Sequence, residues 1–131
     1  MHPLRTTALA AAALLALAPT ATAVAEAHPA PRHGLLLTVS GAGNTWIRGV
    51  GLHCSSPVGG GHPAARAACD DLTWARGDFD ALPGDPHPCS KQYDPVTVTA
   101  DGTWRGRTAH WKKTFPNACE LDAATGPVFR F

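Results

Sequence analysis

The chain has 131 residues, 11 Lys and Arg against 10 Asp and Glu, and a net charge of +1. The charges are interspersed, so neither nucleic acid nor an anionic membrane is a partner, since both call for a basic stripe. No stretch after the first residues is long and apolar enough to span a bilayer.

Met1 to Arg5 carries one positive charge and is followed by an apolar run from Ala8 to Ala18, then by Pro19 and small residues. That layout is a secretory signal peptide, too short for a spanning helix. Ala21-Thr22-Ala23 and Ala25-Glu26-Ala27 both fit the small-x-small cleavage rule. Cleavage after Ala27 is preferred, giving a signal peptide over 1–27 and one exported, extracellular domain over 28–131 of about 104 residues. A domain of that size has a modest core, and staples help it. Cys54, Cys69, Cys89 and Cys119 all lie in the exported part, so an even count in an oxidising compartment reads as two disulfides, with three connectivities open.

Leu35-Leu36-Leu37-Thr38-Val39 reads as a strand ending at the turn Ser40 to Asn44. Leu35, Leu37 and Val39 face one side, and Leu36 the other, where it and some of the tryptophans would form an apolar patch for a second subunit. Trp46 to Cys54 is a second strand in which Gly49 and Gly51 suggest a bulge. After Gly59-Gly60-Gly61, the segment Pro63 to Trp74 reads as a helix: Pro63 suits its first turn, alanines fill it, and Gly77 stops it. Arg66 and Arg76 belong to its solvated face. Leu82 to Pro95 holds four prolines in fourteen residues, which excludes helix and central strand and leaves a long, stiff, exposed loop. Val96 to Thr99, a turn at Asp101-Gly102, and Thr108 to Phe115 read as a hairpin. A helical turn from Glu120 to Ala124 and a last strand, Val128 to Phe131, complete an α+β domain.

The loop carries the chemistry. Cys89, two residues before Lys91, can be tied by a disulfide, while Pro95 drives Asp94 toward an extended conformation. Ser90 to Tyr93 is thereby held extended, the form in which a protease receives a substrate backbone, and preorganisation lowers the entropic cost of binding. A lone exposed lysine is ordinarily a solvated charge; here its neighbours make the difference. His53, Cys54, His62 and Cys69 resemble a metal-ligand set only superficially, because exported cysteines are oxidised and neither CxxC nor HExxH spacing is present. No nucleophile elbow is present either, so the chain reads as a non-enzyme without metal or cofactor. Trp46, Trp74, Trp104 and Trp111 are expected in packing or interfaces rather than in a carbohydrate platform.

The cysteine neighbourhoods give more than composition. Cys54, His62-Pro63-Ala64, Ala68-Cys69-Asp70-Asp71-Leu72 and Gly77-Asp78-Phe79-Asp80-Ala81-Leu82 resemble the subtilisin inhibitor-like proteins of Streptomyces. So do Cys89-Ser90-Lys91-Gln92-Tyr93-Asp94-Pro95-Val96, Asp101 to Gly106, Phe115-Pro116-Asn117-Ala118-Cys119-Glu120 and Val128 to Phe131. The resemblance covers nearly the whole exported chain, in order. It implies a five-stranded antiparallel sheet with two helices on one face, the disulfides Cys54–Cys69 and Cys89–Cys119, and a homodimer. It further implies substrate-like inhibition of trypsin-like and subtilisin-like serine proteases, with the reactive bond between Lys91 and Gln92. Pro88, Cys89, Ser90, Tyr93 and Asp94 would meet the protease, and Asn117 with Pro95 would support the loop. Ser90 departs from the pattern, standing where many relatives carry proline or threonine.

Overall fold

The computed structural model describes residues 33–131, so the expected signal peptide over 1–27 lies outside the described residues. Strand β1, Leu35–Ser40, buries Leu35, Leu37 and Val39 on one face and leaves Leu36 42% exposed on the other, as its two-residue period requires. It pairs antiparallel with β2, Ile47–Leu52, on one side and with β3, Val96–Trp104, on the other. β3 in turn pairs with β4, Arg107–Phe115, giving four strands in the order β2-β1-β3-β4.

Helix α1, Ala65–Trp74, and helix α2, Ala118–Thr125, cover the apolar face. Ala68, Cys69 and Leu72 of α1 and Leu121 of α2 join Leu35, Leu37, Leu52, Val96, Val98 and Ala100 in one core. Phe79 stacks on Trp111 with ring centroids 5.2 Å apart, and Phe129 lies 5.8 Å from Trp111, extending the core toward β4. Trp104 is buried too, whereas Trp46 and Trp74 are exposed, so only half of the tryptophans are packing residues.

Four expectations are corrected. The sheet has four strands among the described residues rather than five, because Val128 to Phe131 is not a strand. A 3-10 turn over Gly126–Phe129 replaces it. Val128 and Phe129 are consecutive large apolar residues and both buried, against the two-residue alternation of a strand with one face on the core. Asp101-Gly102 is not the hairpin turn: Asp101 pairs with His110 inside the ladder, and the chain reverses at Arg105 and Gly106, whose φ values of 47° and 78° suit a two-residue hairpin loop. Gly102 has another task, since a Cβ there would collide with the Gly34 carbonyl. Gly49 and Gly51 make no bulge but pair regularly with Thr38 and Leu36. At Gly51 a Cβ would stand 2.7 Å from the Gly60 carbonyl oxygen, so the glycine admits the Gly59 to Gly61 segment against β2.

Candidate functional site

Residues 82 to 95 have no regular structure and connect the 3-10 turn Phe79–Ala81 to β3. Pro83, Pro86, Pro88 and Pro95 account for this, since each lacks the N–H that a ladder or helix would need. Ser90, Lys91, Gln92 and Asp94 are exposed, and Tyr93 is 77% exposed. The segment is a convex ridge. The clefts between Gly77, Phe79, Trp104 and Trp111, and beside Gly34, Leu52 and Trp104, contain none of residues 88–95. A ridge is suited to enter another molecule's groove, where an enzyme's own site would be concave.

Asn117 holds the ridge from behind. It is the N-cap of α2, only 8% exposed, and its Oδ1 accepts the Glu120 N–H at 2.9 Å. The cap orients the amide, so that Nδ2 donates to the Gln92 carbonyl at 2.8 Å and to the Ser90 carbonyl at 3.3 Å. One amide nitrogen thus bridges the carbonyls on either side of Lys91 and fixes their separation. Downstream, the Asp94 N–H donates to the Pro116 carbonyl at 2.9 Å, after which Pro95 leads into β3. Upstream, Cys89 is bonded to Cys119 in the first turn of α2, with Cα atoms 5.7 Å apart. Lys91 is therefore flanked by a covalent anchor two residues before it and a backbone anchor three residues after it. The second disulfide, Cys54–Cys69, joins the end of β2 to α1, away from the ridge.

Sequence reasoning missed a second set of residues. The guanidinium of Arg130 donates to both Asp122 oxygens, at 2.5 and 3.0 Å, and to Asp85 at 2.8 Å. The hydrogen bonds from Arg130 hold the Asp122 carboxyl below the usual carboxylate range, and those to Asp122 and Asp85 push the guanidinium higher still. The only signal was Asp122 and Ala123 at three and four residues beyond Cys119, which a helix brings to one face.

Among the described residues, the side chains that could ligate a metal have other partners. Cys54, Cys69, Cys89 and Cys119 are all oxidised and have no thiolate to offer. Asp85, His87 and Asp122 converge, but Arg130 already occupies both carboxylates and would repel a cation. His62 is a buried structural histidine: Nδ1 accepts the Ala64 N–H at 3.0 Å, so Nε2 carries the proton and donates to the Val128 carbonyl at 2.9 Å.

A small α+β domain that braces a convex, proline-stiffened loop from behind belongs to the class of proteins that present themselves to a partner's cleft. Within that class the chain belongs to the subtilisin inhibitor-like family, whose model, described as Subtilisin inhibitor-like, matches residues 30–117. It is 47% identical over 88 residues to subtilisin inhibitor-like protein 5 of Streptomyces fradiae, covering 66% of this chain and 82% of that protein. It is 43% identical over 120 residues to a subtilase-type protease inhibitor of Streptomyces coelicolor, covering 88% of this chain and 82% of that one. Sermetstatin of Streptomyces caespitosus, solved in complex with Bacillus licheniformis subtilisin, superposes with a TM-score of 0.61 at 39% identity, over 75% of this chain and 97% of that one. The family consists of protease inhibitors rather than enzymes. Among the described residues no helix is long and apolar enough to cross a membrane.

Proposed function

We propose that this protein is a substrate-like inhibitor of serine endopeptidases, both subtilisin-like and trypsin-like, and that its reactive bond joins Lys91 to Gln92. The observation that carries the reading is the bridge from Asn117 to the carbonyls on either side of Lys91, combined with the Cys89–Cys119 anchor. The protease serine attacks the Lys91 carbonyl, its oxygen enters the oxyanion hole, and the Gln92 amine departs with a proton from the catalytic histidine. In an ordinary peptide that amine diffuses away. Here Gln92 remains bonded to Asn117 and Asp94 to Pro116, so the amine stays beside the acyl carbon at high effective concentration, and religation outruns hydrolysis. The Lys91 ammonium pairs with a carboxylate at the floor of a trypsin-like specificity pocket. Pro88, Cys89, Ser90, Tyr93 and Asp94 supply the flanking backbone and side-chain contacts.

The complex of the related sermetstatin with subtilisin supports the subtilisin-like class of target. The leader over 1–27 supports secretion, with the domain 28–131 acting outside the cell. The uncovered sheet face around Leu36 supports a homodimer. Titration of the purified protein into trypsin and subtilisin, repeated with Lys91→Asp, tests the reading: stoichiometric inhibition by the parent, and loss of trypsin inhibition in the variant, are expected. Failure of the parent against both enzymes refutes the function, and undiminished trypsin inhibition by the variant refutes the bond.

A further inference from the structure

The upstream limb of the loop rests on α2 at several points that the bait segment itself does not explain. Cys119, Asp122 and Ala123 share one face of the helix, and together they hold the limb at two points, Cys89 and Asp85. Cys119 bonds Cys89, the Ala123 carbonyl accepts the Asp85 N–H at 3.0 Å, and Asp122 reaches Asp85 through Arg130. Gly84, at φ 65°, permits this approach, because a Cβ there would collide with the Ala123 carbonyl. His87 completes the limb, its Nδ1 donating to the Asp85 carbonyl at 2.6 Å and its Nε2 lying 3.7 Å from Asp122. Arg130 comes from outside both elements, projecting from the segment that follows the Gly126–Phe129 turn.

A disulfide fixes one point and leaves the limb free to swing about it; a second anchor upstream removes that freedom. We propose that Arg130 is a positioning residue of the inhibitory loop, clamping Asp85 against Asp122 so that the half ending in Lys91 keeps its orientation after the bond is cut. The inference rests on the Lys91–Gln92 reading. Gln92 is held by Asn117, but religation needs both ends aligned, and the clamp serves the acyl end. Arg130 lies outside the bait segment, so its loss should affect the partition between religation and hydrolysis more than the encounter.

The test compares the parent with Arg130→Ala and with Asp85→Asn, which keeps the Arg130–Asp122 pair intact. Cleavage of Lys91–Gln92 by excess trypsin should accelerate about tenfold in Arg130→Ala and less in Asp85→Asn, while the association rate constant stays unchanged. In the free protein, hydrogen exchange at the Asp85 amide should accelerate by about the same factor, with the Val98 amide unaffected. A purely global destabilisation would speed both amides together. Unchanged Asp85 exchange in both variants overturns the clamp, as does unchanged cleavage in variants whose Asp85 amide has been released. If Arg130→Ala does not fold, Asp85→Asn decides alone. If the parent inhibits neither trypsin nor subtilisin, the Lys91 reading fails, and the clamp is judged by amide exchange without any protease.

Discussion

Asn117 joins two tasks in one side chain, capping α2 with its oxygen and holding the loop with its nitrogen. Asn117→Ala should therefore lower stability by about 1–2 kcal/mol in thermal or denaturant unfolding. It should also speed hydrolysis of Lys91–Gln92 in the presence of trypsin. Asn117→Asp separates the two tasks, since its carboxylate still caps the helix but has no proton for the Ser90 and Gln92 carbonyls. It should retain most of the stability and lose most of the resistance to cleavage. Equal resistance in all three proteins would remove Asn117 from the mechanism. Acid acts on other residues. Hydrogen bonds from Lys113 and Trp111 lower the pKa of Asp80, and those from Arg130 lower that of Asp122. Their contributions are present above the unfolded value of 3.8 and are lost as pH falls through the lower folded values. Asp71 runs the other way: burial and the Asp70 charge raise its pKa, so its cost is full at neutral pH and fades as pH falls toward 3.8. The melting temperature should therefore hold or rise slightly on acidification toward that value, then fall below it. Asp80 is exposed, and Lys113→Ala should remove well under about 1 kcal/mol of that acid-sensitive stability.

At the scale of elements, the two disulfides tie different parts together. By the chain-entropy argument, closing 30 residues between Cys89 and Cys119 contributes about 3.7 kcal/mol, and closing 15 between Cys54 and Cys69 about 3 kcal/mol. Paired serine substitutions should lower stability by comparable amounts in denaturant titrations. Only the Cys89, Cys119 pair should turn the inhibitor into a substrate that trypsin degrades, because only that bridge lies on the loop. Equal susceptibility of the two variants at temperatures where both are folded would count against the loop's role. Legibility divides along the same line between local and tertiary causes. The alternation in β1, the alanine-rich helix α1 and the proline-stiffened loop are local patterns, and the sequence displays them. The strand expected over Val128 to Phe131 failed because those residues fill a gap between α1, α2 and the sheet, a three-dimensional fact. The hairpin turn fell at Arg105-Gly106 rather than Asp101-Gly102 because Gly102 is needed for the close approach of Gly34. Lys91, Asn117 and the cysteine pairing became readable through resemblance to a family, whereas the Arg130 clamp joins three distant positions by no local pattern.

The whole molecule has two unlike faces. Its helical side is closed by the core, but among the described residues the opposite face of the sheet has no helix across it and presents Leu36, Thr38, Thr97, Thr99 and, at the β2 edge, Ile47, which is 63% exposed. The threonine hydroxyls spend their hydrogen bonds on one another, Thr38 with Thr99 at 2.6 Å and Thr97 with Thr114 at 2.8 Å. The middle of the face therefore carries no charge and little unmet polarity, while Asp101, His110 and Lys112 ring one margin. Four strands at about 4.8 Å spacing and about 20–30 Å of length give a flat area of about 400–600 Å² before side-chain relief is counted. That approaches the roughly 800 Å² per partner of a specific interface, without the excess of an obligate one. A two-fold axis through this face would set Thr99 of one copy near Thr99 of the other, so a charge introduced there meets its own image. If the parent is the proposed dimer, Thr99→Lys should accordingly yield a monomer in sedimentation velocity at micromolar concentration. Trypsin inhibition should be unchanged, because the bait segment precedes β3 and is held by α2 rather than by the sheet face. A parent that is monomeric at tens of micromolar would refute the dimer, and loss of inhibition in a folded Thr99→Lys monomer would show that the loop depends on the second subunit after all.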